Sequence, residues 1–179
     1  MNDPVDRLYE RLLVVRCQSG DQEAYRELVE RYGPRLRYFL RKLLPHGDRA
    51  DDLLQEVWID VFRQLPRLHE AGAFTPWIYK IARGRAALEV RRNGRVPPAV
   101  ELPEVAAEAQ QEPDFAPEDA ARIHSALDEL PTDQREVLVL RFLEELSYED
   151  IGEVVGCPLG TVRSRIYYAK AALQRLLKN

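Results

Sequence analysis

From Val154 to the end of the chain there is no Asp or Glu, while Arg163, Arg165, Lys170, Arg175 and Lys178 all occur. Guanidinium groups are forked donors that can grip a guanine edge through two hydrogen bonds, and Lys, Ser and Tyr commonly contact phosphate. At about 100° per residue, Val162, Ile166, Ala169 and Leu173 fall in one narrow sector of a helix, the face that has to be packed. On that reckoning Arg163, Ser164, Tyr167 and Tyr168 point away from the packed face, with Arg165 and Lys170 on its flanks. The chemistry is that of a polyanion-binding surface, cationic and aromatic, without a carboxylate that phosphate would repel. A second basic island lies upstream, where Lys80, Arg83, Arg85, Arg91, Arg92 and Arg95 face a single acid, Glu89. Lys80, Arg83, Ala87 and Arg91 line up on one helical face there. Between Glu101 and Glu153 the balance reverses, which is why the formal net charge is -4 although two stretches are strongly basic. Two basic islands around an acidic middle predict two contacts with one polyanion.

The elements that must position these residues are helical throughout, because apolar residues recur at spacings of three and four with no sustained alternation of period two. Ala24, Leu28, Tyr32, Leu36, Phe39 and Leu43 mark one helix. In "DRADDLLQEVWIDVFRQL", Leu54, Val57, Trp58, Val61 and Leu65 share a face, and Asp52, Gln55, Glu56, Asp60 and Arg63 fall on the other. Thr75 is the expected N-cap, with Pro76 at the first position, of the basic helix "PWIYKIARGRAALEVRR". The stretch from Asn93 to Pro117 holds five prolines and five acids and has the composition of an extended linker. After it, Ile123, Leu127 and Leu130 predict a helix closed by Pro131, and a second runs from about Thr132 to Leu143. Ser147 and Asp150 form a capping box, Gly156 suits the left-handed residue that stops a helix, and Pro158 suits the start of the next. Short helix, tight turn and longer helix make a helix-turn-helix. A basic helix alone would read more simply as one arm of a helical hairpin with a solvated face. The caps, the turn and the acid-free face together favour the DNA-binding reading.

The predicted fold class is all-α, two small helical domains joined by a flexible acidic linker, over residues 1–94, 95–117 and 118–179. A composition with 45% hydrophobic and 31% charged residues fits a globular chain. No apolar run approaches the roughly 20 residues of a membrane span, and "MNDPVDRLYE" lacks a secretory n-region, so a cytoplasmic protein without membrane insertion is expected. Cys17 and Cys157 fit no metal spacing and read as reduced structural thiols. His46, His69 and His124 are scattered, and no nucleophile, metal cluster or phosphate loop stands out, so neither catalysis nor a cofactor is expected.

"LSYEDIGEVVGCPLGTVRSRIYYAKAAL" resembles the C-terminal DNA-binding region of bacterial extracytoplasmic-function (ECF) sigma factors, the group IV members of the housekeeping-sigma superfamily. "DDLLQEVWIDVFRQL" followed by "FTPWIYKIARG" is similar to their N-terminal region, including the helix that docks on core RNA polymerase. The order of segments matches over roughly Ser19 to Leu177. The resemblance implies a sigma factor that binds core RNA polymerase, through the beta-prime clamp helices and the beta flap, and directs promoter-specific initiation. It also implies an anti-sigma partner. By the same resemblance, Asp52, Gln55, Glu56 and Ile59 would dock on the clamp helices. Trp77, Lys80, Arg83, Arg91 and Arg92 would meet the minus-ten element, with the "HEAGA" loop framing a base pocket. Trp77 shares a face with Ile81, so it reads first as core and second as a stacking platform. Arg163, Ser164, Arg165 and Tyr167 match the pattern for reading the minus-thirty-five element, with Tyr168 and Lys170 beside them. The linker would thread toward the RNA exit path, its carboxylates imitating RNA phosphates, or serve as a solvated tether. Three departures set the promoter preference apart: Gly84 where the family usually has Asn, Leu88 where it often has Asp, and Tyr168 where a basic residue is common. They also keep open a rival function, a sigma mimic that sequesters an anti-sigma factor; a second rival is a plain helix-turn-helix regulator, against which the polymerase-docking segment weighs.

Overall fold

The computed structural model describes residues 4–45, 49–94 and 120–178. The chain divides into two units, Met1–Pro97 and Pro98–Asn179. The expected linker over 95–117, with Arg95, and His46 lie outside the described residues.

The first unit contains α1 (Pro4–Gln18), α2 (Gln22–Leu43), α3 (Ala50–Gln64) and α4 (Phe74–Arg92). Helix α2 begins where Asp21, in extended backbone, accepts hydrogen bonds from the Glu23 and Ala24 amides at 3.0 and 3.2 Å. Pro34 lies inside α2, where it removes one rung of the hydrogen-bond ladder without ending the helix. The six apolar positions predicted for this helix are all buried. They meet Leu53, Val57 and Val61 of α3 and Phe74, Ile78, Tyr79 and Ala82 of α4 in one core. Edge-to-face ring pairs, Tyr32–Phe74 at 5.2 Å and Phe39–Tyr79 at 5.1 Å, fix α4 against α2. Leu54, expected on the buried face of α3, is only half-buried, and Leu53 takes the inner position instead.

Two further features of this unit differ from expectation. Helix α1 was not anticipated, although it supplies Leu13, Val14 and Cys17 to the core. Burial pushes the Cys17 thiol up to about 11, so it stays protonated and packs as a small apolar group. Thr75 is not an N-cap, because α4 begins two residues earlier than expected, at Phe74, and the cap position falls on Ala73. The Thr75 hydroxyl instead donates to Glu10 Oε1 at 2.9 Å and lies 2.7 Å from the Tyr32 hydroxyl, which also donates to Glu10. A threonine legible as a local cap is thus drawn into a tertiary network joining α1, α2 and α4. Burial, with the Glu10 carboxylate beside it, raises the Tyr32 phenol well above its ordinary value.

The second unit contains α5 (Ala120–Glu129), α6 (Thr132–Leu138), α7 (Tyr148–Val155) and α8 (Leu159–Lys178). The helix expected to run from Thr132 to Leu143 widens after Leu138 into a π-helical turn, Val139–Leu143, closed by the Glu144 amide on the Val139 carbonyl at 3.2 Å. Ser147 caps α7 by accepting from the Asp150 amide at 3.0 Å, and Gly156 ends it in left-handed backbone at φ 69°. A Cβ on Gly152 would sit 3.1 Å from the Cys157 carbonyl oxygen and 3.7 Å from Val162. This glycine therefore lets α7 and α8 approach across the turn. The predicted inner face of α8, Val162, Ile166, Ala169 and Leu173, is buried.

Candidate nucleic-acid interface

Helix α8 is held by α5, α6 and α7 together, and its outer surface decides what a groove could meet. Arg163 is exposed, Tyr167 is 38% exposed, and the Tyr167 and Tyr168 rings meet edge-on at 5.3 Å. Tyr168 is half-buried, and Lys170 Nζ lies 5.8 Å from the Phe142 ring centroid. Arg165 is turned toward α6, its Nε 3.8 Å from Asp133 Oδ2, with 19% of its side chain exposed. Ser164 corrects the prediction: it is 1% exposed, and its hydroxyl donates to the Thr161 carbonyl at 3.1 Å. The single-stripe reckoning put it on the outside. Three neighbouring helices cover more of α8 than one stripe, and a short side chain bonded to its own preceding turn is easily enclosed. The outward surface is therefore Arg163 and Tyr167, flanked by Lys170 and Tyr168.

On α4, Lys80, Gly84, Leu88, Arg91 and Arg92 are exposed along one side, with Arg83 half-buried at its edge. Arg91 Nε donates to the Ala87 carbonyl at 3.3 Å, which lays its guanidinium along the helix. Glu89, the one acid of this basic island, is 8% exposed and turned inward, 3.6 Å from Arg49 Nε and 3.4 Å from the Asn93 amide nitrogen. The fold thus removes the only negative charge from the cationic face. Trp77 is half-buried rather than enclosed, one side against Phe74 at 5.8 Å between ring centroids. The loop before α4 folds as a short turn, Ala71–Ala73, packed on α1. Gly84 has nothing within 4 Å of where a Cβ would stand. Gly84→Ala is expected to raise the stability of this unit by about 0.5–1 kcal/mol, since the helix gains propensity without a clash. Thermal unfolding followed by tryptophan fluorescence would check it, as both tryptophans, Trp58 and Trp77, lie in this unit.

On α3, Asp52 and Gln55 are exposed and Ile59 is 48% exposed, as a docking face requires. Glu56 departs from that face. Arg85 of α4 donates to Glu56 Oε2 at 2.8 Å and to Asp60 Oδ2 at 2.5 Å, so both acids point toward α4. Sequence reasoning placed Arg85 among the cations of the basic island and missed this fork. It also missed Phe62, which is 38% exposed one turn from Ile59 and stacks on Trp58 at 5.7 Å between centroids. The signal was present as the spacing of Ile59 and Phe62 on the outer side of α3. Arg37, 2.6 Å from Asp51, holds that carboxyl below its usual range at the start of the same helix.

The sigma-70 region 2 family matches residues 28–96, and the sigma-70 region 4 family matches residues 120–173. The chain is 34% identical to the ECF RNA polymerase sigma-E factor of Escherichia coli (strain K12) over 180 residues, covering 94% of each chain. The chain belongs to the ECF sigma factors of the sigma-70 family. The RNA polymerase sigma-H factor of Pseudomonas aeruginosa is 36% identical to this ECF sigma factor over 93% of its chain and 92% of the relative. Among solved structures, CnrH in complex with the cytosolic domain of CnrY aligns at TM-score 0.67, with 26% identity over 94% of this chain and 97% of that one. The sigma factor RpoE of Bartonella quintana, bound to the anti-sigma factor NepR, aligns at 0.65 with 27% identity over 86% and 96%. As an ECF sigma factor the protein binds core RNA polymerase and promoter DNA and directs promoter-specific initiation. Its family is one of transcription initiation factors. Among the described residues, no helix is long and apolar enough to cross a membrane.

Proposed function

We propose that the two exposed cationic surfaces divide the promoter between them. Arg163 and Tyr167 of α8 read the minus-thirty-five element in the major groove, with Tyr168, Lys170 and Arg165 supporting at its edges. Ser164 serves there as a packing residue. Lys80, Arg83, Arg91 and Arg92 hold the phosphates of the minus-ten element, and the open edge of Trp77 stands beside the unstacked base. Asp52, Gln55 and Ile59, with Phe62, meet the beta-prime clamp helices, and the C-terminal unit meets the beta flap. Residues 95–117 join a polymerase-docking domain over 1–94 to a helix-turn-helix domain over 118–179. The protein acts in the cytoplasm as an initiation factor and not as an enzyme, and it is held by an anti-sigma factor, as the RpoE neighbour is by NepR.

The observation that carries this reading is the disposal of negative charge. Glu89 is buried within one basic island, and the other contains no acid from Val154 onward. A solvated surface has no need of either arrangement. The test is to combine the protein with core polymerase of its own host and select from a promoter library. Start-site-specific transcripts are expected, with log-log salt dependence near -0.9 per neutralised phosphate for each DNA-binding unit. Core binding without transcripts would instead favour sequestration of an anti-sigma factor, and DNA binding without core binding a plain regulator.

A further inference from the structure

Helix α1 is anchored on one side and bare on the other. Leu13, Val14 and Cys17 are buried, Asp6 receives the Arg31 guanidinium at 2.6 Å, and Glu10 takes the Thr75 and Tyr32 hydroxyls. On the opposite side Leu8 is 58%, Leu12 54% and Val15 49% exposed, with Val5 in the same register. Their spacing of three, four and three residues is that of the a and d positions of a heptad, the seam that takes a second helix by knobs-into-holes packing. A row of aliphatic side chains at this exposure on a rigid helix is an interaction surface rather than scattered apolar residues.

Charge beside the seam says what covers it. Arg7 and Arg11 stand four residues apart along one edge, both exposed. Arg11 lies over the loop at Gly72. Asp6 and Glu10 of α1 are engaged inward, Asp21 pairs with Arg16 at 2.7 Å, and Glu27 takes the Tyr9 hydroxyl. A second copy of α1 suits the seam poorly. In a parallel pair Arg11 would face the other copy's Arg16, and in an antiparallel pair the two Arg11 residues would meet, a like-charge contact either way. A lipid surface suits it poorly too, since the apolar strip is one seam wide and contains no Trp or Phe.

We propose that α1 is a docking rail for an amphipathic helix of another protein, apolar at its own a and d positions and acidic on its flanks. The probe is a synthetic helical peptide of about 21 residues with Leu at a and d and Glu at e and g; repulsion among its glutamates disfavours self-association. Fluorescence anisotropy with the full chain should show binding that weakens with added salt. A Lys-flanked version of the peptide should bind at least about tenfold more weakly. The double change Leu8→Asp and Leu12→Asp should abolish binding with the far-UV circular dichroism and melting temperature unchanged, because both side chains are exposed. Arg7→Glu with Arg11→Glu should reverse the preference between the two peptides. Equal binding of both peptides, or binding that survives the Asp substitutions, would overturn the proposal. So would dimers in sedimentation that the Asp substitutions dissolve, or flotation with phosphatidylserine vesicles in place of peptide binding.

Discussion

Arg163→Ala should lower affinity for the preferred promoter by about 1–3 kcal/mol, roughly 5- to 150-fold, and relax the preference at one base position. Arg163 is an exposed cation in the first half of α8, whereas Arg165 there lies beside Asp133 and Lys170 beside the Phe142 ring. Removing an exposed side chain leaves no cavity, so the melting temperature should stay within experimental error of the parent. Arg163→Lys separates two roles for the same charge. Lysine keeps a phosphate contact and its salt dependence, but it cannot make the forked, two-bond contact with a guanine edge. Competition binding on a promoter library reads both effects. A loss equal on every sequence would make Arg163 a phosphate contact and pass base recognition to Tyr167 or Tyr168.

Arg85→Ala should cost the N-terminal unit about 2 kcal/mol, which for a domain of this size lowers its melting temperature by about 4–8 °C per kcal/mol. The fork spans two helices: Nε reaches Asp60 at 2.5 Å and a terminal nitrogen reaches Glu56 at 2.8 Å. Side-chain exposures of 28% for Arg85, 34% for Glu56 and 19% for Asp60 place the cluster partly in solvent, so the loss falls short of that for a fully buried pair. Without the guanidinium, two carboxylates one helical turn apart are left to repel each other against α4. Arg85→Lys should recover less than half of the loss, because a single ammonium cannot serve both acids in this geometry. Urea unfolding followed by tryptophan fluorescence reports on this unit alone. An unchanged midpoint would show that the cluster is solvent-screened and holds nothing. Core binding should weaken as well, since freed Glu56 and Asp60 would change the charge and aim of the α3 surface beside Asp52, Gln55 and Ile59.

The local grammar of the chain was legible because each of its signals acts over a few residues. Ser147 and Asp150 cap α7, Gly156 takes the left-handed backbone, and the Val162, Ile166, Ala169 and Leu173 stripe packs inward. The same reasoning failed where a side chain had a choice of partners distant in sequence. Thr75 had the chemistry of a cap and went to Glu10 and Tyr32, which are 65 and 43 residues away. Ser164 had the angular position of a surface residue and was enclosed by its neighbours. Glu56 had the charge of a docking residue and was taken by Arg85. Helix α1 went unread because its outward apolar row blurs the contrast between faces that marks an amphipathic helix.

What the sequence by itself determined was the all-helical grammar, the partition of charge into two basic islands around an acidic middle, and membership in the ECF sigma factors. The first two follow from periodicity, capping chemistry and local charge, which are properties of short windows of chain; the family was legible only as a resemblance of two motifs in order. What only the tertiary structure decided was which charges remain available to a partner. Glu89 turns into the protein, Arg85 is spent on Glu56 and Asp60, and Arg163 stands clear. A charged group settles wherever desolvation, geometry and an opposite charge balance best, and that balance is set by helices that meet only when the chain folds.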